Sequence, residues 1–480
     1  MKDLVSPLGK EILSLFQWDS DFVADDLYTR RVYSKDLWPR NLILAREAEL
    51  PQEPAVDAII WPSSTKDLSK FVEIANQKNW EIFAYGAGSG VCGGLTPTGE
   101  HRRPRLVVDL KRMDKIESLD PVSQVAKVQA GILGQVLEED LNAKGFTLGH
   151  FPSSIYCSSF GGYLATRAAG QLSTYYGKIE DIVLALEGIL PSGEIFQTPD
   201  APRMAVGPDW NHFFLGSEGT LGFLTAAWVK VHKLAENRRF LSFHVESTEK
   251  ALDGIREWLQ AGLHPAVIRL YDEDESRMLM GLKGGVKLVC IVEGDQEIAD
   301  FTASYISKLS LRRAGWVDTG EEPAQHWWAH RYDVSYRQQQ IMSHRRMILD
   351  TFEVATQWSK LPQLHREVKK VVGQVKDLHG GMLVILAHFS HFYHCGGNIY
   401  FTICGASPQD VATADYYDSV WKALLEACIK QGGAVSHHHG IGRLKAQAFA
   451  KQRGVLHETL RRIKNEIDPK HLFNPENLGL

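Results

Sequence analysis

The feature that most restricts the possible folds is an apolar strand that passes directly into a glycine-dense loop. Residues 81–85 (EIFAY) are typical of a buried strand, and five of the next nine residues are glycine. Glycines at this density expose successive backbone N–H groups, which can bind a pyrophosphate. Gly88, Gly90 and Gly93 satisfy the Rossmann spacing, but Pro97 follows too soon for the helix that this fingerprint needs. The loop by itself indicates a phosphate-binding turn without the Rossmann helix.

Length and composition set the general class of the protein. A chain of 480 residues that is 44% hydrophobic can bury large cores, and its length suggests two or three domains. The net charge of −5 has both signs dispersed, which argues against a nucleic-acid-binding protein. The six cysteines form no CxxC pair, so we expect reduced thiols. No signal peptide or transmembrane segment is evident, and we expect a soluble, cytoplasmic enzyme.

Hydrophobic periodicity predicts much of the regular structure. Residues 65–78 have the period of an amphipathic helix with Ser63 or Ser64 as its N-cap, whereas Pro39 is expected to break any helix around it. Beyond residue 231, short apolar strands alternate with long amphipathic helices. The clearest of these strands are 241–245, 266–270, 288–292 and 399–403. This alternation predicts an antiparallel sheet covered by helices, so the fold class is α+β.

Further glycine- and serine-rich segments follow the loop in a fixed order, at 149–152, 158–166, 176–181, 191–193 and 216–225. Together with residues 86–90, this ordered set resembles the flavin-binding half of the vanillyl-alcohol-oxidase superfamily. The resemblance implies a two-lobed domain that holds FAD in an elongated crevice. It implies FAD contacts by Gly86, Ala87, Gly88, Ser89, Gly90, His150, Ser158, Ser159, Gly162, Thr166, Glu218, Gly219 and Leu221. Covalent members carry a histidine at the position of Ser89, so we expect non-covalent FAD, with Cys157 as an alternative attachment point.

The predicted organisation has four parts. An N-terminal extension (1–50) precedes the FAD-binding domain (51–232), and a substrate or cap domain (233–430) carries the antiparallel sheet. A C-terminal segment (431–480) then returns to the flavin. This last segment contains three adjacent histidines, His437, His438 and His439, between glycine-rich turns. Near neutral pH each imidazole can donate a proton, accept one or bind a metal.

Two branches of the superfamily resemble the C-terminal half. D-lactate and glycolate dehydrogenases share the sequence from His439 to Gly442, and they hold a divalent metal with two histidines. Here the corresponding stretch, 394–400, lacks their aspartate, and Tyr400 stands at the second histidine position. His438 replaces a glutamate. These differences remove metal ligands and weaken the alternative of an FAD-dependent D-2-hydroxy-acid dehydrogenase.

The alkyldihydroxyacetonephosphate synthase family is the closer resemblance, and it extends over about residues 55–480. That family has a tyrosine at the position of Tyr400 and three histidines at 437–439, and it matches at 202–209 and 268–272. The resemblance implies a redox-neutral exchange of the acyl group of acyl-dihydroxyacetone phosphate for a long-chain alcohol, the ether-lipid reaction. The implied partners are therefore small lipid substrates and a second copy of the chain, and peripheral membrane contact is left open.

The same resemblance implies roles for individual residues. Tyr400 is the implied base for a C1 proton, and the histidines at 437–439 either stabilise its phenolate or relay the proton. A phenol titrates near pH 10, so this role requires nearby cations. Arg269 and Arg337 are the implied substrate-binding residues, with Arg269 on the phosphate. The alternatives are an ordinary strand aromatic for Tyr400 and an ion pair with Asp272 or Asp274 for Arg269.

No metal ligand is assigned from the sequence. His388, His391 and His394 together with His439 have the composition of a zinc or manganese site. A spacing of three along a strand, however, does not place these side chains on one face. Arg443 and Lys445, which follow the histidines, are expected to face solvent.

Overall fold

The computed structural model describes residues 6–16, 19–47, 54–97, 102–333 and 342–480. Arg337 lies outside these residues. The described residues form three principal β-sheets, a two-stranded ribbon and helices packed around them, in agreement with the α+β class. No helix in these ranges combines the length and the apolar character that crossing a membrane requires.

The first sheet flanks the glycine loop, which connects two of its strands. Its strands are β1 (Val23–Ala24), β2 (Ala58–Ile60), β3 (Glu81–Tyr85) and β4 (Arg105–Asp109), in the order β1-β2-β4-β3. The last three strands run parallel. The helix Thr65–Lys78 connects β2 to β3, and its N-cap Ser64 accepts a hydrogen bond from the Asp67 N–H. The prediction of this helix and its cap is confirmed.

The second sheet is antiparallel. It contains β5 (Ile116–Asp120), β6 (Val125–Gln129), β8 (Val183–Ile189), β9 (Ile195–Gln197) and β10 (Phe223–Lys230), in the order β5-β6-β10-β8-β9. A two-stranded ribbon pairs β7 (Phe146–Thr147), which lies between β6 and β8 in the chain, with β11 (His232–Lys233), which follows β10.

The third sheet is the predicted antiparallel sheet. Its strands are β12 (Asn237–Val245), β13 (Val267–Tyr271), β14 (Val286–Gly294), β15 (Trp316–Asp318), β16 (Met347–Gln357), β17 (Met382–Tyr393) and β18 (Gly396–Ala406). They are arranged in the order β15-β12-β14-β13-β17-β18-β16, and every neighbouring pair is antiparallel. Helices cover one face of this sheet and enclose a hydrophobic core with it.

The α-helices of the described residues are Pro7–Phe16, Leu27–Tyr33, Pro39–Arg46, Thr65–Lys78, Gly134–Asn142, Phe160–Thr166, Ser173–Tyr176, Ile179–Ile182, Trp210–Phe214, Thr248–Gln260, Glu273–Met280, Gln296–Leu311, Glu322–His330, Leu361–Lys369, Val371–His379, Thr413–Lys430, Ala446–Arg453 and Val455–Ile467. In the part of the chain that the structure describes, two short 3₁₀ helices span Ser20–Phe22 and Asn477–Gly479. The expectation that Pro39 breaks a helix is wrong, because Pro39 is the first residue of the helix Pro39–Arg46. Proline is tolerated there because the N–H it lacks has no partner within the helix.

The C-terminal residues return to two of the sheets. Phe473 forms a parallel bridge with Ile82 of β3, and Ala434 forms an antiparallel bridge with Ala355 of β16. The second bridge precedes the three histidines by a few residues. It therefore places them at the edge strand of the third sheet.

Candidate active site

A row of side chains crosses one face of the third sheet. Glu353 of β16 lies opposite Tyr400 of β18, which lies opposite His388 of β17, which lies opposite Tyr271 of β13. Directly opposed residues project from the same face of a sheet, as do residues two apart on one strand, so Arg269 joins the row. The rings of Tyr400 and His388 stack with centroids 4.7 Å apart. The sheet therefore aligns a carboxylate, a phenol, an imidazole and a guanidinium.

A β-bulge in β17 directs His391 toward the same region. The residues on either side of His391 pair with Asn398 and Gly397, but His391 has no partner in the ladder and has a left-handed φ of 52°. Its ring centroid lies 5.1 Å from that of His437 and 5.0 Å from that of His438. Bulges of this kind re-aim side chains beside functional sites.

The backbone of the three adjacent histidines wraps around the Glu353 carboxylate. The N–H groups of residues 437, 438 and 439 donate to Glu353 Oε1 over 3.2, 3.2 and 2.8 Å. The Ser436 hydroxyl donates to the same oxygen. Four donors on one carboxylate oxygen fix the path of the loop whatever its imidazoles bind.

The second oxygen of Glu353 accepts a hydrogen bond of 2.6 Å from Lys445 Nζ, and both side chains are 0% exposed. Burial alone would raise the pKa of Glu353, but Lys445, His439 and the hydrogen bonds together lower it to about 2. The expectation that Lys445 faces solvent is therefore wrong, because its ammonium neutralises a buried carboxylate. Arg443 is not solvated either, since it forms an ion pair of 2.5 Å with Glu476.

A second buried carboxylate holds the residues that follow the histidines. Glu218 accepts hydrogen bonds from the N–H groups of Ile441 and Gly442 at 2.6 and 2.9 Å, and burial raises its pKa to about 7. Gly442 has a φ of 53°, and a Cβ there would lie 2.2 Å from the carbonyl oxygen of Cys92. The loop is thus clamped between Glu218 and the end of the glycine loop. Glu218, predicted to contact FAD, uses its carboxylate for this clamp.

The imidazoles of the site are neutral at pH 7. Burial lowers the pKa of His391 to about 3, and it lowers those of His437 and His438 well below the usual range, with neighbouring imidazoles and Lys178 adding to the effect. Burial also lowers the pKa of His439, although the Glu353 charge opposes it. These side chains are therefore proton acceptors or metal ligands. They do not supply the positive charge that a Tyr400 phenolate requires.

Tyr400 is protonated at neutral pH. Burial raises its pKa to about 12, and the Glu353 charge adds to this shift, while a hydrogen bond to Thr351 and the charge of Arg269 oppose it. The Tyr400 ring lies 5.9 Å from that of His438 and 5.6 Å from that of His439, centroid to centroid. His439 Nδ1 is buried, accepts no hydrogen bond from any described residue and lies 3.7 Å from Glu353 Oε2. A free imidazole nitrogen thus stands beside the phenol.

Arg269 forms no ion pair with a carboxylate of the described residues. Its Nε donates to the Tyr271 hydroxyl at 3.0 Å, and its Nη2 lies 3.4 Å from His388 Nδ1. Asp272 and Asp274 both pair with Lys369. The predicted alternative of an ion pair between Arg269 and these aspartates is therefore wrong. The Arg269 guanidinium therefore has N–H groups that can still bind an anion beside the other residues of the row.

The glycine loop and the segment at 158–166 lie in close contact. A Cβ at Gly86 would lie 2.3 Å from Ser159 Oγ, so a larger residue does not fit there, and Gly88 has a φ of 69°. Ser159 is the N-cap of the helix Phe160–Thr166 and accepts a hydrogen bond from the Gly162 N–H. No helix follows the glycine loop up to residue 97, in agreement with the absence of a Rossmann unit.

The buried imidazole of His150 bears on whether a flavin fits this region. It is 1% exposed, and neither of its ring nitrogens has a hydrogen-bond partner among the residues that the structure describes. Burial lowers its pKa to about 3, so the ring is neutral. A buried imidazole with two unused nitrogens is costly unless a ligand satisfies it. His150 and the close-packed glycine loop therefore fit a bound flavin.

The other predicted FAD residues are distributed around this region. Thr166 Oγ1 donates to the Gly162 carbonyl, and Ser158 Oγ lies 2.8 Å from the Tyr163 hydroxyl. Gly219 has a φ of 75°. The Leu221 side chain packs in the core of the second sheet. Ala87, Ser89 and Gly90 lie in the glycine loop itself.

The histidines named from the sequence do not converge as one group. His388 lies 3.4 Å from Glu275, and His394 is exposed. Instead, one ligand atom from each of His391, His437 and His438 lies within 4.8 Å of the others.

Sequence reasoning also missed Glu353 and Lys445 as a pair. Asp350 and Glu353 interrupt the apolar strand β16, and charges in such a strand are a signal of buried partners. That signal does not identify the partner of Glu353, which lies 92 positions away.

Comparisons with known proteins agree with this architecture. Residues 56–199 match the family described as FAD binding domain, and residues 234–478 match the C-terminal domain of FAD linked oxidases. The chain is 32% identical to alkyldihydroxyacetonephosphate synthase of Caenorhabditis elegans, over 98% of this chain and 83% of the relative. Identity to the enzyme of that name from Trypanosoma brucei brucei is 30%, over 95% and 78%. A solved structure of an alkyldihydroxyacetonephosphate synthase superposes with a TM-score of 0.81 at 27% identity, covering 98% of this chain and 84% of that one.

Proposed function

Because the chain belongs to the alkyldihydroxyacetonephosphate synthase family and is an FAD-dependent enzyme of the FAD-linked oxidase type, we propose that it exchanges the acyl group of acyl-dihydroxyacetone phosphate for a long-chain alcohol. The exchange has no net redox change and is a step of ether-lipid synthesis. The observation that carries this proposal is the position of Tyr400 between Glu353 and His388, beside the neutral histidine loop. A dehydrogenase of the lactate type would have a histidine at Tyr400 and a glutamate at His438.

Tyr400 is the proposed acceptor of the substrate C1 proton. With a pKa of about 12, about one phenol in 10⁵ is ionised at pH 7. The hydroxyl must therefore give up its own proton as it receives the one from carbon. His439 Nδ1 is the proposed acceptor, and the Glu353 carboxylate 3.7 Å away stabilises the resulting imidazolium. This relay needs the imidazole to be neutral beforehand, as it is here.

Arg269 is the proposed ligand of the substrate phosphate. Its guanidinium lies two residues from Tyr271 on the same face as Tyr400, and no carboxylate of the described part of the chain competes for it. A guanidinium binds phosphate oxygens in a bidentate manner, which fixes the substrate as well as attracting it. The phosphate would thereby hold C1 at a constant distance from the tyrosine.

The proposed FAD contacts are the glycine loop at 86–90, the segments at 158–166 and 218–221, and His150. FAD, when bound, supplies the nucleophilic ring nitrogen for the exchange. Ser89 offers no imidazole for covalent attachment, so the proposed cofactor is dissociable. The loop from residue 437 to 442, clamped by Glu353 and Glu218, closes the other side of the site.

Two features of the proposed partners remain predictions. The fatty alcohol resides in membranes, so peripheral contact with a bilayer is expected, and vesicle flotation of the purified protein measures it. A homodimer is expected by analogy with the family, and light scattering measures the mass.

The experiment for the proposed function uses palmitoyl-dihydroxyacetone phosphate and labelled hexadecanol as substrates. The purified yellow protein should convert the label into an alkyl product and release one palmitate for each product formed. Omission of the phosphorylated ketone should abolish the product. Absence of alkyl product, with dye reduction when D-lactate or glycolate is supplied, would assign the chain to the dehydrogenases instead.

A further inference from the structure

Three imidazoles from two separate elements converge in the site. One ligand atom from each of His391, His437 and His438 lies within 4.8 Å of the other two, and the Nδ1 atoms of His437 and His438 are 2.9 Å apart. Nitrogens bound to one tetrahedral zinc at about 2.05 Å are separated by about 3.3 Å. The observed separations lie on both sides of this value, so side-chain movements that shift the nitrogens by about an ångström suffice to form a three-nitrogen site.

The outer contacts of these rings have the arrangement of metal ligands. Ser173 Oγ lies 2.7 Å from His391 Nδ1, and the Tyr393 hydroxyl lies 2.8 Å from His437 Nε2. Each contact engages one nitrogen of its ring. The other nitrogen of His437, Nδ1, shares a hydrogen bond of 2.9 Å with His438 Nδ1, and an ion at this point would replace the shared proton. Histidine ligands of metals regularly use their second nitrogen in this way, which fixes the tautomer and the orientation of the ring.

The backbone holds this arrangement without help from a metal. His391 is the unpaired residue of the bulge in β17, and the N–H groups of residues 437–439 are fixed on Glu353. Lys178 donates to the His437 carbonyl and is paired with Glu180 at 3.0 Å. Its charge is therefore largely neutralised.

We propose that His391, His437 and His438 bind a divalent transition-metal ion, zinc by preference, with at least one coordination position left for water or substrate. Three neutral imidazoles suit zinc and its neighbours in the first transition row, and they do not suit magnesium or calcium. The ligand set differs from the two histidines that the dehydrogenases are expected to use, because Tyr400 stands at the position of one of them. Three protein ligands with an open position are characteristic of catalytic rather than structural zinc.

The consequence for chemistry rests on the proposed function. The Tyr400 ring stacks near His438 with centroids 5.9 Å apart, so an ion on this imidazole would lie beside the phenol. A divalent charge there lowers the pKa of the phenol and can polarise the substrate carbonyl next to C1. It would supply the positive charge that the neutral histidines do not.

Metal binding can be tested without any assay of catalysis. The FAD-loaded protein is dialysed against a chelator and then titrated with Zn²⁺ in competition with a chromophoric chelator. We expect one equivalent per chain. We expect Co²⁺ to give the visible bands of a four-coordinate ion at longer wavelengths than flavin absorption. His391→Gln and His438→Gln should each weaken zinc binding at least about 100-fold, and Ser173→Ala, which keeps all three ligands, about 10-fold.

His394→Gln is the matched control, because His394 is exposed and lies three residues from His391. It should bind zinc as the unsubstituted protein does. The proposal is overturned if the folded yellow protein takes up no stoichiometric zinc, or if His391→Gln and Ser173→Ala both bind zinc with unchanged affinity. Zinc bound at this site in a protein without exchange activity would refute the proposed function and leave the metal site standing.

Discussion

Replacing Lys445 by methionine should strongly destabilise the protein, because it leaves a buried carboxylate without its cation. Lys445 Nζ lies 2.6 Å from Glu353 Oε2, and both side chains are 0% exposed. Methionine keeps the volume of the lysine stem, so the change is mainly one of charge. Removing one partner of a buried ion pair typically costs about 3–5 kcal/mol of unfolding free energy.

The pKa of Glu353 gives the net effect of burial, Lys445, His439 and the hydrogen bonds on the charged carboxylate. The pKa falls from 4.5 to about 2 in the folded protein. At 1.36 kcal/mol per unit, this shift corresponds to about 3 kcal/mol. A carboxyl whose folded pKa is depressed stabilises the fold above its unfolded pKa, so the contribution is fully present above about pH 4.5. It is lost as the pH falls toward 2.

Urea unfolding followed by tryptophan fluorescence, at pH 7 with saturating FAD, measures the cost. Lys445→Met should lose about 3–5 kcal/mol, whereas Lys451→Met, an exposed lysine on the helix Ala446–Arg453, should change stability by less than about 0.5 kcal/mol. The double variant Glu353→Gln/Lys445→Met should recover at least about 1 kcal/mol relative to the sum of the single variants. A Lys445→Met protein as stable as its parent, or strict additivity in the double variant, would refute the reasoning.

Three further predictions concern the site. Tyr400→Phe should lower the rate of alkyl exchange at least about 100-fold with normal flavin content, and retention of most of the rate would exclude Tyr400 as the proton acceptor. Arg269→Ala should raise KM for the phosphorylated ketone about 10- to 100-fold, while Arg277→Ala, on an exposed helix face, should leave it unchanged; equal KM values in both variants would contradict the phosphate role. Glu218 has a folded pKa of about 7, raised from 4.5, so the fold favours its protonated form. About 3 kcal/mol of unfolding free energy is therefore lost as the pH rises from 4.5 to 7. Glu218→Gln should therefore gain stability relative to the parent between pH 5 and pH 8 in urea unfolding, and a constant difference would argue against the buried carboxyl.

The parts of the fold that depend on local sequence were predictable. The helix Thr65–Lys78 and its serine cap follow from apolar spacing and from a side chain that satisfies the first free N–H groups. The antiparallel third sheet was predicted correctly, although strands that alternate with helices more often pair in parallel, so the alternation alone does not explain it. Pro39 was misread because proline both interrupts and begins helices, and the difference depends on whether the helix lies before or after it.

The details of the site were less predictable because they depend on contacts between distant positions. Tyr400 and the histidine tripeptide were recognisable as motifs. Their support by Glu353 was not, since it arises from strand register and from a bridge between Ala355 and Ala434. The bulge that frees His391 adds one residue to a strand, and nothing in the alternation of that strand reveals it. The burial of Lys445 likewise depends on a distant partner, Glu353 of β16.

The central claim is that the chain catalyses a redox-neutral exchange at a tyrosine and histidine site facing FAD. The most direct measurement is flavin absorbance under anaerobic conditions, with no electron acceptor, during turnover of palmitoyl-dihydroxyacetone phosphate and labelled hexadecanol. The account predicts many equivalents of alkyl product per flavin and an oxidised flavin spectrum at the end. Bleaching of the flavin by D-lactate or another 2-hydroxy acid, with no alkyl product from the lipid substrates, would contradict it.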